Sequence, residues 1–141
     1  MNTMERIEEE IVSEFAILDD PMYKYDYIID LGKKLAPLPN QWKTDDNIVK
    51  GCQSTVWLHS EERDGRIYFE ADSNTIITKG IIALLIRVLS AQPAGEIVAA
   101  PLTFIDRIGL RSHLSSQRSN GLNAMISKMK NDANNLSLHT K

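Results

Sequence analysis

Apolar side chains recur at steps of three and four near the start of the chain. Met4, Ile7, Ile11, Phe15 and Leu18 fall on one stripe of a helix over residues 4–18. Asp20-Pro21 reads as a stop and restart: the carboxylate suits the amides of a following turn, and Pro21 suits a first helical position. A second helix is expected to about Leu35, with Tyr25, Ile28, Leu31 and Leu35 inward, ended by Pro37 and Pro39. Residues 36–47 read as a loop with Trp42 laid over the core. Ile48 to Lys50 reads as a short strand interrupted by a bend or bulge at Gly51-Cys52. From Gln53 to about Ser60 the period becomes two, with Val56 and Leu58 on one face and Trp57 on the other. Asp64-Gly65 is a hairpin turn signal. The return strand, Arg66 to Ala71, puts Ile67 and Phe69 on one side and Tyr68 and Glu70 on the other.

Thr75 to Ser90 is apolar nearly all round and too long for a strand, so it reads as a buried central helix packed across the sheet. Asp72-Ser73-Asn74 offers its N-cap. Gly80 inside it suggests close packing. Pro93 begins a short helix to about Ala99, and Pro101 another to Ile108, stopped by Gly109. Arg111 to Ser119 reads as polar linker. A last helix spans about Asn120 to Asn131, with Leu122, Met125, Ile126 and Met129 inward. Residues 1–130 therefore form one domain, and 131–141 a tail without periodicity, expected to be frayed.

Composition changes this picture in two ways. The longest apolar run, Ile81 to Ile86, is far too short to cross a bilayer, and Glu8-Glu9-Glu10 fits no targeting peptide. The net charge of −3 hides an asymmetry: residues 1–20 carry one basic and seven acidic side chains, residues 107–141 six basic and one acidic. These are either two solvated faces or a basic surface that steers an acidic protein partner. No basic stripe interleaved with aromatics points to nucleic acid. A single cysteine in 141 residues makes no internal disulfide and suits the reducing cytoplasm.

Candidate chemistry narrows quickly. One Cys and three His, with no CxxC, HxH or HxxxH, do not suggest a dedicated metal site. No GxxxxGK[ST] or GxGxxG is present to cradle phosphate. The pairs Asp45-Asp46 and Glu61-Glu62 read as solvated surface. Cys52 is then either a small buried hydrophobe or a presented nucleophile. Gly51 lets the backbone bend there, and Gln53 and Ser54 bring polar groups beside the sulfur. His113 and Arg118 are the distant residues that a fold would have to bring close for activation, and a protease-like arrangement has no flanking signature.

The residues around Cys52 also carry a resemblance. In order along the chain, Tyr27-Ile28-Ile29-Asp30-Leu31-Gly32, then Gly51-Cys52-Gln53-Ser54 with Val56-Trp57, then Ala71-Asp72-Ser73 with Lys79-Gly80 resemble motifs of the SufE family. Gly109-Leu110, His113-Leu114, Arg118, Ser119 and Gly121-Leu122 continue the series. Members are sulfur acceptors that serve iron–sulfur cluster assembly beside a cysteine desulfurase. The resemblance implies an α+β fold, a small antiparallel sheet with helices packed on one side, similar to IscU-type scaffolds. It implies that Cys52 carries sulfur as a persulfide, while pyridoxal phosphate belongs to the desulfurase and this chain needs no cofactor or metal. The expected partners are that desulfurase, which the chain would stimulate, and an iron–sulfur scaffold as recipient. Gly51, Gln53, Ser54, His113 and Arg118 are the expected supporting residues, and a shielded Cys52 loop that swings out on docking is the expected device. The alternatives are a binding module with an inert Cys52 and an independent cysteine hydrolase.

Overall fold

A computed structural model describes residues 2–139, the side chain of His139 excepted. Helix α1 is Thr3–Ala16, capped by Asn2, whose side chain accepts from Glu5 N at 2.8 Å in a capping box. Helix α2 is Pro21–Lys34, and Asp20 caps it as expected, accepting from Met22 N at 2.8 Å. Strands β1, Val56–Arg63, and β2, Arg66–Ser73, form the hairpin. Its turn places Asp64 at φ 54° and Gly65 at φ 81°, the positive pair that a two-residue hairpin loop requires. Helix α3 is Ile76–Leu89, and a two-residue strand β3, Gln92–Pro93, pairs antiparallel with β2. The sheet order is β1-β2-β3. Helices α4, Ala94–Ala99, α5, Phe104–Arg107, and α6, Ser116–His139, complete the α+β fold.

The helices cover one face of the sheet. Val56 and Leu58 of β1 and Ile67, Phe69 and Ala71 of β2 are buried with Ile81, Leu85 and Val88 of α3 and Leu122, Met125 and Met129 of α6. Helices α2 and α3 cross closely because each has a glycine at the contact. A Cβ on Gly80 would stand 2.0 Å from Ile28 O, and one on Gly32 would stand 2.5 Å from Ile76 O.

Several expectations are corrected. Residues 131–139 are not frayed: α6 continues through them, because Ala133 and Leu136 extend the inward row from Met129, and Ala133 is fully buried. Thr140 and Lys141 of the expected tail lie outside the described residues. Helix α6 also starts earlier than Asn120, at Ser116. Leu102, at φ 52°, delays α5 to Phe104 instead of Pro101. Thr75, not residues 72–74, is the N-cap of α3. Trp42 does not lie over the core; it stacks on His59, on the other face of the sheet, with ring centroids 3.7 Å apart. The expected strand at Ile48 reduces to a single bridge to Trp57.

Candidate functional site

Cys52 sits in a loop closed at its base by Val49 N donating to Val56 O at 2.8 Å and by the Ile48–Trp57 bridge. Gly51 turns the chain into it at φ 97°, a conformation that side-chain-bearing residues rarely adopt. The return limb is clamped by the β2–α3 junction. Ser73 Oγ donates to Thr55 O at 2.7 Å, and Thr55 N donates to Asn74 Oδ1 at 3.2 Å. Thr75 Oγ1 stands 3.0 Å from Ser54 Oγ and 2.7 Å from Thr78 Oγ1.

Behind the junction is Asp72, buried on the outer face of β2. It meets Lys43 at 3.2 Å and Lys79 at 3.3 Å, and accepts from Ser73 N at 2.8 Å. Burial by itself would raise the Asp72 pKa. The Ser73 amide, the two lysines and the Leu38 amide outweigh it and hold the carboxyl below its ordinary range.

The thiol faces α6. Cys52 Sγ donates to Gly121 O at 3.6 Å, and a Cβ on Gly121 would stand 3.5 Å from the sulfur, so the absence of a side chain there makes the seat. A cavity of about 50 Å³ opens beside it, lined by Cys52, Gln53, Ser54 and Gly121 together with Thr78, Ile81, Gln117, Arg118 and Met125. Cys52 is half-buried, and this burial pushes its pKa up. At neutral pH the resting thiol is therefore protonated and a weak nucleophile. Arg118 is the only charged residue among those described along the cavity. Its Nη1 donates to Tyr25 Oη across a long 3.5 Å.

The structure thus brings Gln53, Ser54 and Arg118 to Cys52, with Gly51 turning the chain just ahead of it. It does not bring His113, which sits in the turn Arg111–His113 beside Gly109 and does not line the cavity. Thr78, Ile81, Gln117 and Met125 were not foreseen as neighbours of the sulfur. Their signal in the sequence is only a helical step of four from Gln117 through Gly121 to Met125. No His, Asp or Glu lines the cavity among the described residues, so no general base stands at the sulfur.

Three basic side chains of the C-terminal segment are ion-paired within the molecule, and a fourth is held by a backbone carbonyl. Arg107 pairs with Glu9 of the acidic helix α1, Arg111 with Asp106, and Lys128 with Asp132, while Lys130 donates to Ala100 O. This favours the reading of two ordinary solvated faces over a continuous steering patch.

Comparison with known proteins agrees with the geometry. Residues 9–133 match the SufE family, described as an Fe-S metabolism associated domain. An uncharacterized SufE-like protein of Rhizobium meliloti is 39% identical over 130 residues, covering 89% of this chain and 93% of that protein. SufE-like protein 1, chloroplastic/mitochondrial, of Arabidopsis thaliana is 41% identical over 128 residues, covering 89% of this chain but 34% of that longer protein. Sulfur acceptor protein CsdE of Escherichia coli is 37% identical over 119 residues, covering 83% and 81%. A solution structure of a hypothetical protein from Thermus thermophilus superimposes with a TM-score of 0.77 over 94% of this chain and 96% of that one. At 16% identity it supports the fold alone. No helix among the described residues is long and apolar enough to cross a membrane.

Proposed function

Because the chain belongs to the SufE family and with it to iron–sulfur metabolism, we propose that it is a persulfide carrier, with Cys52 as the sulfur-bearing residue. In this reading a cysteine desulfurase presents a persulfide, and the Cys52 thiolate attacks its outer sulfur. A new S–S bond forms at Cys52, the donor's S–S bond breaks, and the donor leaves as a thiolate that takes up the proton given up by Cys52. Sulfur is passed on with no net oxidation. Pyridoxal phosphate stays with the donor enzyme, which docking of this chain would stimulate. The iron–sulfur scaffold complex is the recipient, and the compartment is the cytoplasm.

The observation that carries this reading is the seat of Cys52: a half-buried thiol on a loop that turns at Gly51, facing a small cavity where Arg118 is the only charge among the described residues. Burial keeps the resting thiol protonated and slow to oxidise. Docking that moves the loop outward relieves the desolvation, and the Arg118 guanidinium then favours the thiolate. An independent cysteine hydrolase is disfavoured, since no base lines the cavity among the described residues.

The test is mass spectrometry after incubation with a desulfurase, pyridoxal phosphate and cysteine. The expected product is one extra sulfur on Cys52, absent in Cys52→Ser. A Cys52→Ser protein that still supports sulfur delivery would show a binding module with an inert thiol instead.

A further inference from the structure

A second cluster of reactive side chains lies on the face of the sheet that the helices leave uncovered. His59 and Glu61 are two apart on β1 and therefore share that face, and Glu70 is the cross-strand partner of His59. One imidazole nitrogen, one Glu61 oxygen and one Glu70 oxygen all lie within 4.8 Å of one another. Sequence spacing alone does not reveal this set, because its third member comes from the neighbouring strand.

We propose that His59, Glu61 and Glu70 form a binding site for a divalent transition-metal ion of the zinc class. One imidazole and two carboxylates are the mixed nitrogen–oxygen set such ions take. Ligands about 2.0–2.2 Å from a tetrahedral zinc stand roughly 3.4 Å apart; His59 Nε2 and Glu61 Oε1 are already 3.3 Å apart. One oxygen of Glu70 already lies within 4.8 Å of the other two ligand atoms. Glu70 is exposed and takes part in no ion pair among the described residues.

The surroundings hold the first two ligands in place. Trp42 lies flat against the His59 ring at an interplanar angle of 8°, fixing the plane of the imidazole, and the His59 side chain is 14% exposed. Arg63 Nε holds Glu61 Oε2 at 3.3 Å, which leaves Oε1 for the ion. The Arg63 guanidinium is itself stacked 3.8 Å from the Tyr68 ring centre. With two carboxylates against one guanidinium, the site stays attractive to a dication. It stands apart from the cavity of Cys52, so the proposal does not depend on the sulfur-carrier reading.

The experiment is titration calorimetry with Zn²⁺ on the full chain carrying Cys52→Ser, so that the thiol cannot ligate. Saturable one-to-one uptake is expected, weakened at least tenfold by Glu70→Gln and abolished by His59→Gln. Glu70→Gln is the safer variant for folding, being a near-isosteric change at an exposed position. Two results overturn the proposal: no saturable uptake with a dissociation constant below about 1 mM, or an isotherm that Glu70→Gln leaves unchanged.

Discussion

At Cys52 one neighbour forms the floor of the resting seat. Gly121 leaves room for the sulfur, and an alanine there would only touch it, since its Cβ would stand 3.5 Å away, an ordinary contact. Branching adds methyl groups where the thiol now sits. Gly121→Val is therefore expected to push Cys52 out of its seat and raise its rate of iodoacetamide alkylation several-fold, with Gly121→Ala close to the native rate. Equal rates in all three proteins would mean that the seat offers no shielding. The same burial predicts a pH profile. Because desolvation raises the Cys52 pKa, alkylation of the folded protein should reach half its maximal rate at a higher pH than in the urea-unfolded chain, where a free thiol titrates at about 8.5. A profile shifted to lower pH would instead reveal a stabilised resting thiolate.

At the scale of elements, two junctions position this residue, and each has a weak point that can be tested. The α2–α3 crossing depends on Gly32 and Gly80. Gly80→Ala forces a Cβ to 2.0 Å from the Ile28 carbonyl oxygen, a backbone atom with little room to yield. Urea unfolding should show a loss of about 2–3 kcal/mol or more, as overpacking typically costs. Gly95→Ala, with nothing within 4 Å of the added carbon, should instead gain about 0.5 kcal/mol from helix propensity. The β2–α3 junction depends on Asp72. Its pKa is depressed in the fold, so its contribution is present above the unfolded carboxyl value of about 3.9 and is lost as pH falls through the lower folded value. Asp72→Asn should lower stability at pH 7 by about 1–2 kcal/mol and flatten the acid limb of the stability curve. An acid limb unchanged in the variant would remove Asp72 from that role. These junctions also show what the sequence makes legible. Helices α1 and α2 and the β1–β2 hairpin were readable because period, Asp20-Pro21 and Asp64-Gly65 agree. Strand β3 was not, because Gln92–Pro93 is two residues long and held by pairing rather than by pattern. The end of α6 was hidden because its inward position is alanine, Ala133, among asparagines.

For the whole molecule, the question is how a chain that pairs part of its opposite charge internally recognises a partner. The acidic helix α1 is tied down at three points: Glu8 accepts from Phe104 N at 3.0 Å, Glu9 pairs with Arg107, and Glu14 grips Arg87 at 2.6 Å. One part of the charge asymmetry that was legible in the sequence, Glu9 against Arg107, is thus satisfied within the chain, which no count along the chain reveals. Cys52 was legible as the candidate for the reactive residue, and the resemblance named Gly121, but the place of Gly121 as the floor beneath the sulfur needed the packing of α6. Arg118 differs from the other arginines in being exposed at the cavity mouth, with only a long hydrogen bond to Tyr25. A loosely held cation is free to move toward sulfur as negative charge develops there, whereas Arg107 is committed to Glu9. Arg118→Ala should therefore slow sulfur transfer to Cys52 at least tenfold while changing stability by no more than about 0.5 kcal/mol, the usual range for a surface position. Arg118→Lys should recover part of the rate, because it keeps the charge but not the planar fork. Arg107→Ala should leave transfer unchanged, which separates a local effect at the thiol from a general loss of positive charge. Equal slowing in both alanine variants would show that long-range attraction governs docking; no slowing in either would take Arg118 out of the transfer step.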